Sequence, residues 1–375
     1  MNLRYTSTVR SFGSDLSSFG EDLSAYQPNN FIQSHPPKEG GSERHQISII
    51  GAGSWGCALA LTLARLGGRV TLWGHNPKNI EEIKNARTNT TYLPGIVFPE
   101  NIYPTTELTE CYNTDVILFV IPSKFVRTVA TSLITGAPFL KSVIVSCTKG
   151  IEPVTGKLMS EVLSDTFPTS PIAVLSGPNL AGDVAKGLPA AGVIGCNQES
   201  LLPSLQKIFY GTNYRAYTSN DMRGIQLGGA LKNIFAITAG VSDGLGMGEN
   251  AKAGLVTRAL AEMTRLGVAM GGNRKTFSGL SGIGDLMATC FSQKSRNYHV
   301  GQELSRGRSS HEIQNSMTMV AEGIITARSA QECALRLNIE TPIIDEVVAV
   351  LDHGKSPAES IKELLGRRLR SEEEI

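Results

Sequence analysis

Residues 46–50 (QISII) run directly into residues 51–56 (GAGSWG), and this junction decides the fold. A short β-branched run breaks into glycines and then opens an apolar-periodic helix predicted over residues 55–66. Strand, glycine turn and helix in that order are the first unit of a dinucleotide-binding fold. Each glycine has a mechanical reason. Gly51 permits the tight turn, Gly53 lets the backbone approach a pyrophosphate, and Gly56 lets helix and strand pack closely. The N–H groups at the helix start, Ser54 and Trp55 among them, then face an anion.

The pattern continues outward from this unit. Residues 69–74 (RVTLWG) read as a second strand after the Gly67-Gly68 helix stop. Residues 115–121 (DVILFVI) and 142–146 (SVIVS) are apolar throughout, as buried parallel strands are. Residues 172–175 and 190–194 extend the sheet. Strand signals fade from about residue 220, and helical stretches follow at 222–241, 250–270, 319–336 and 341–351. The expected architecture is an α/β Rossmann-type dinucleotide-binding domain over residues 46–220, followed by an all-α C-terminal domain over residues 221–375. Ligands of open α/β sheets bind beyond the strand C-termini, so substrate is expected between that edge and the helices.

Composition narrows the function. The chain has 375 residues, 41% hydrophobic, with a net charge of +1, which gives no electrostatic case for nucleic acid. No apolar run approaches bilayer length. Cys57, Cys111, Cys147, Cys196, Cys290 and Cys333 are scattered without a C-x-x-C pair, and the histidines show no metal spacing, so reduced thiols and no metal are expected. Residues 1–45 differ from the rest, with eight serines and the Pro36-Pro37 and Gly40-Gly41 pairs. They read as a poorly ordered extension to a cytoplasmic protein. Arg4, Arg10 and the serines leave organelle import open, whereas Asp15, Glu21 and Asp22 oppose it.

The end of the second strand bears on the cofactor. An NAD site ordinarily places an acid about 20 residues beyond the glycines. Here the chain offers Trp73-Gly74-His75-Asn76-Pro77-Lys78 and no acid. His75, Asn76 and Lys78 are suited to tolerate or bind a ribose 2′-phosphate, unless His75 merely begins a loop, so strict NAD preference is not expected.

Seven segments then carry a resemblance: GAGSWGCALA at 51–60, SCTKGIEP at 146–153, SGPNLA at 176–181, GGALKN at 228–233, SGLSGIGDLMATC at 278–290, SRN at 295–297 and VAEG at 320–323. Their order and spacing resemble NAD(P)-dependent glycerol-3-phosphate dehydrogenase of the soluble, bacterial type, over residues 46 to about 365. The resemblance implies reversible NAD(P)H-dependent reduction of dihydroxyacetone phosphate to sn-glycerol 3-phosphate, feeding glycerophospholipid synthesis. It also implies a homodimer. Cys57 stands where the family has a small residue such as Thr.

The residues make chemical sense beside the name. A ketone oxygen gains a proton as hydride arrives, and the reverse reaction needs a base. Lys232, in a mostly apolar helical segment, is a lysine whose pKa burial would lower, unless it snorkels at the helix surface. The resemblance makes it the general acid/base. Lys149, at a strand C-terminal edge, is implied to touch substrate and cofactor. Asp285 and Thr289 share a helix face. The carboxylate orders Lys232, caps the helix after Gly282 and Gly284, or does both. Ser295, Arg296, Asn297 and Asn233 are implied to cradle the substrate phosphate, with Arg296 also reaching cofactor. Gly177 and Asn179 are implied to line the substrate, and Tyr92, Ala181, Val320 and Glu322 the cofactor. Two alternatives remain: a β-hydroxyacid-type reductase, which would place Lys and Asn four apart rather than adjacent as in Lys232-Asn233, and a non-catalytic dinucleotide sensor.

Overall fold

The structure, a computed structural model, describes residues 45–137, 140–196, 198–369 and 371–372. Apart from His45, the extension expected over residues 1–45 lies outside the described residues.

An eight-stranded sheet has the order β3-β2-β1-β4-β5-β6-β7-β8. Its strands are β1 (Ile47–Ile50), β2 (Val70–Trp73), β3 (Ile102–Thr105), β4 (Val116–Phe119), β5 (Val143–Ser146), β6 (Ile172–Ser176), β7 (Ala190–Cys196) and β8 (Tyr214–Ser219). Strands β1 to β6 run parallel; β7 turns antiparallel to β6, and β8 runs parallel to β7. Successive residues of the central strands feed opposite faces. Ile49, Leu72 and Leu118 pack on one side, whereas Ile50, Ile117 and Phe119 pack on the other. Helices cover both faces, so these strands are buried throughout.

Two strands went unseen in the sequence. β3 contains Pro104, which breaks a ladder in a central strand but is tolerated here at the sheet edge. β8 alternates Tyr214 and Ala216 inward with Arg215 and Tyr217 outward, the signature of a half-exposed edge.

The helical half is organised around the helix Met222–Gly244, buried on nearly every side. Its neighbours approach to backbone contact. A β-carbon on Gly240 would collide with Tyr298 O, one on Gly301 with Ile237 O, and one on Gly323 with Asn233 O. Glycines therefore set the distance between this helix and the helices Arg296–Ser305 and Glu322–Leu337. The stretch 319–321, expected to be helical, is instead extended at Ala321, and the helix starts at Glu322. The cause is tertiary: Val320 O leaves helical bonding to accept from Arg296 Nη1 (2.7 Å).

The first turn separates two reasons for glycine. Gly51 holds φ at +128° with Val120 O against it, and a β-carbon on Gly56 would strike Gly51 O, so the fold itself demands both. Gly53 has an ordinary φ of −79° and nothing within 4 Å of the position a β-carbon would take. Neither conformation nor packing requires glycine there. Gly53→Ala is accordingly expected to melt within a few degrees of the parent while weakening dinucleotide binding at least about tenfold. Gly56→Ala is expected to cost about 1–3 kcal/mol of stability, as overpacking does. Thermal melts paired with fluorescence titration of NADH check both; equal losses of stability would remove the distinction.

Candidate active site

The C-terminal ends of β1, β4, β5 and β6 face the helical half, and four separate segments meet there. Lys149 follows β5. Gly177 follows β6 with φ +146°, a conformation that presents its carbonyl to Lys149 Nζ (2.9 Å). Lys232 points out of the helix Met222–Gly244, and Asp285 opens the helix Asp285–Cys290.

Asp285 is 1% exposed, and its two oxygens are divided between the two lysines. Oδ1 lies 3.2 Å from Lys232 Nζ, and Oδ2 accepts from Lys149 Nζ. The carboxylate spends itself on the lysines and makes no bond to a helix N–H, so the capping role is not what it performs. One turn on, Thr289 is where the shared helix face required. Its Oγ1 donates to Asp285 O (2.6 Å) and accepts from Lys232 Nζ (2.7 Å). Lys232 itself is only 7% exposed, which excludes snorkelling at the surface. Burial drives its pKa down to about 8; Asp285 opposes this by favouring the charged ammonium, and Lys149 assists it by like-charge repulsion. Desolvation outweighs the ion pair, so a lysine held by a carboxylate still exchanges a proton near neutral pH.

The first glycine turn lies beside this cluster. The helix Ser54–Ala64 begins without a side-chain cap, so its leading N–H groups keep their capacity for an anion. Ser54 Oγ donates to Tyr92 O (2.6 Å) and lies 3.4 Å from Met319 Sδ, bringing Tyr92 and the strap before Glu322 to the turn. The Trp55 Nε1 donor is buried without an acceptor. Open space over Gly53, an uncapped helix start and an orphaned indole N–H all fit a dinucleotide. At the end of β2, His75 and Lys78 are exposed, whereas Asn76 accepts from Lys78 N (3.0 Å) to cap the helix Pro77–Ala86, which explains that residue structurally. Ala181 begins the short helix Ala181–Ala185 after the Gly177 turn.

Glu322 joins the two halves. Its carboxylate accepts from Ser123 N (2.9 Å) and Ser123 Oγ (2.7 Å), just beyond β4. Desolvation raises its pKa, and the Ser123 bonds and Arg296 pull the other way. Sequence reasoning missed Ser123; its position in Ile121-Pro122-Ser123, at a sheet C-terminal edge, was the available signal.

The residues expected to form a phosphate cradle fall into two groups. Arg296 is exposed and uses Nη1 on Val320 O, leaving most of its fork of donors available. Ser295 accepts from Tyr298 N (3.3 Å) and caps the Arg296 helix. Asn233 and Asn297 are buried and bonded to each other (2.8 Å), and Asn297 Oδ1 accepts from Gly323 N (2.9 Å). They tie three helices together around Arg296. Among the described residues, no group of three His, Cys, Asp or Glu side chains is arranged to hold a metal ion, and all six cysteines are free and buried. No helix of the described residues is long and apolar enough to cross a membrane.

Comparison with known proteins agrees with this geometry. The family models for the N-terminus and C-terminus of NAD-dependent glycerol-3-phosphate dehydrogenase match residues 46–202 and 221–362. A glycerol-3-phosphate dehydrogenase [NAD(P)+] of Desulfotalea psychrophila is 44% identical over 87% of this chain and 98% of its own length. Another, from Citrifermentans bemidjiense, is also 44% identical over the same shares. The crystal structure of the glycerol-3-phosphate dehydrogenase of Coxiella burnetii superposes with a TM-score of 0.82 at 37% identity, covering 86% of this chain and 99% of that one. A two-half molecule with a dinucleotide turn, a buried lysine–aspartate–lysine cluster and these relatives belongs to the NAD-dependent glycerol-3-phosphate dehydrogenase family.

Proposed function

We propose that Lys232 is the proton donor in the NAD(P)H-dependent reduction of dihydroxyacetone phosphate to sn-glycerol 3-phosphate, the family's reaction. The observation that carries the assignment is a buried ammonium with its pKa near 8, held between Asp285 and Thr289. When bound, NAD(P)H supplies the hydride that reaches C2 of the ketone. Lys232 gives its proton to the C2 oxygen, and takes it back when the reaction runs in reverse. Lys149, tied to Gly177 O and Asp285, adds a second positive charge beside that oxygen. Thr289 and Asp285 fix the direction of the Lys232 ammonium. Arg296, backed by Ser295, Asn297 and Asn233, binds the phosphate, and Gly177 and Asn179 form part of the substrate wall. Gly51, Gly53, Ser54, Trp55 and Gly56 receive the dinucleotide pyrophosphate, and His75 and Lys78 meet the adenosine ribose, which suits NADH and NADPH alike. Tyr92, Ala181, Val320 and Glu322 close around the cofactor. The test is an absorbance assay of NADH and NADPH oxidation with dihydroxyacetone phosphate as substrate; absence of turnover with both would overturn the assignment.

Two variants separate proton transfer from phosphate binding. Lys232→Ala should lower kcat by roughly 10²–10⁴ while leaving NAD(P)H affinity nearly unchanged. Normal kcat would move the proton-transfer role to Lys149. Arg296→Ala should raise the KM for dihydroxyacetone phosphate about tenfold to a hundredfold, as loss of a charge-assisted contact does, and should affect unphosphorylated dihydroxyacetone much less. Equal effects on both substrates would show that Arg296 does not read the phosphate.

The pH profile has a definite sign. Reduction needs the charged ammonium, so its rate should be level below about pH 8 and fall above it. Oxidation needs the neutral amine, so its rate should rise through the same pH. Asp285 favours the ammonium, so Asp285→Asn should move the falling limb of the reductive profile down by about one unit or more. Stopped-flow profiles across pH 6–10 check the sign; a shift upward would contradict the role of Asp285.

A further inference from the structure

Buried polar atoms without a partner in the protein are costly and informative. Trp55 Nε1 and Asn179 Nδ2 are two of them, one on the dinucleotide turn and one on the loop after β6. The same side chain touches both residues. Tyr214, the first residue of β8, is 2% exposed, with its ring centroid 6.2 Å from that of Trp55. Its hydroxyl donates to Asn179 Oδ1 (3.0 Å). Phe209 also packs against the ring, with centroids 5.0 Å apart. Room for the hydroxyl comes from Gly192 on β7, where any β-carbon would overlap it.

The direction of this bond settles the amide. Burial pushes the Tyr214 phenol well above its ordinary pKa and outweighs the opposing pull of the Asn179 hydrogen bond, so the hydroxyl keeps its proton. Turning the Asn179 amide over would strip that buried O–H of its acceptor. Oδ1 therefore stays with Tyr214, and Nδ2 is the end left to bond something other than the protein. Asn179 lies two residues beyond Gly177, whose carbonyl holds Lys149.

We propose that Tyr214 is a positioning residue for substrate: by donating to Asn179 Oδ1 it fixes Nδ2 as a donor to an oxygen of the bound triose phosphate. This rests on the placement of Asn179 in the substrate wall given above. Tyr214→Phe keeps the ring and its packing on Trp55 and removes only the hydroxyl.

The experiment is a double-mutant cycle on the full chain, with dihydroxyacetone phosphate as substrate. Tyr214→Phe is expected to raise KM about three- to tenfold, with kcat within about twofold and NADH affinity unchanged. Asn179→Ala should raise KM at least as much, and adding Tyr214→Phe to it should change nothing more. Asn179→Asp keeps an acceptor for Tyr214 but offers no N–H, so it too should raise KM. A silent Tyr214→Phe beside a harmful Asn179→Ala overturns the inference. So does a Tyr214→Phe effect of equal size in both backgrounds, which would place its action in the fold or through Trp55. If Asn179→Ala and Asn179→Asp are both silent while Lys232→Ala is inactive, Asn179 leaves the substrate wall and the inference falls, but the reaction assignment stands. Failure of the parent enzyme to turn over dihydroxyacetone phosphate would strike the reaction assignment instead.

Discussion

One buried carboxylate holds the site together. Asp285 bonds Lys149 from the sheet half and Lys232 from the helical half, so a single side chain joins the ends of both layers. Burying that charge alone would cost several kcal/mol, and burying two ammoniums without it would cost more. The three groups are tolerable only together. Their sum is one positive charge in a place sheltered from water, which suits a phosphorylated, anionic ligand and a ketone oxygen that gains negative character. The same arrangement leaves Lys232 incompletely compensated, and its lowered pKa follows from that incompleteness.

A second tie, from Glu322 to Ser123, also joins the two halves. It crosses from the start of a helix in one half to the segment beyond β4 in the other. Between these two anchors run the dinucleotide turn and the loop of Gly177, both fixed by close backbone approach. The cleft is thus bordered by charged contacts at its two ends and by glycine-governed backbone along its walls.

Residues 46–56 were legible because each physical demand there is local: a strand, a positive φ, a close helix approach. The long helices and the apolar strands were legible for the same reason. What escaped depends on distant partners. Pro104 disguises β3 because only its edge position makes proline acceptable. Met319 and Val320 look helical until Arg296 claims the Val320 carbonyl. The residue types of the lysine–aspartate cluster stood out, Lys232 in apolar company and Lys149 at a strand end. Their shared carboxylate is a contact across 136 positions of sequence and has no local pattern. Ser123 and Tyr214 carry no motif at all; one is found through Glu322 and the other through Asn179.

The glycines at 240, 301 and 323 have a consequence for how such an enzyme changes over generations. They press helix backbones together with no side chain between them, so the helices cannot slide, tilt or separate in small steps. A mutation that lengthens any of these residues meets a main-chain oxygen, which has no rotamer to adopt. New substrate preferences must then arise by exchanging the side chains that project from a frozen frame, rather than by reshaping the frame itself.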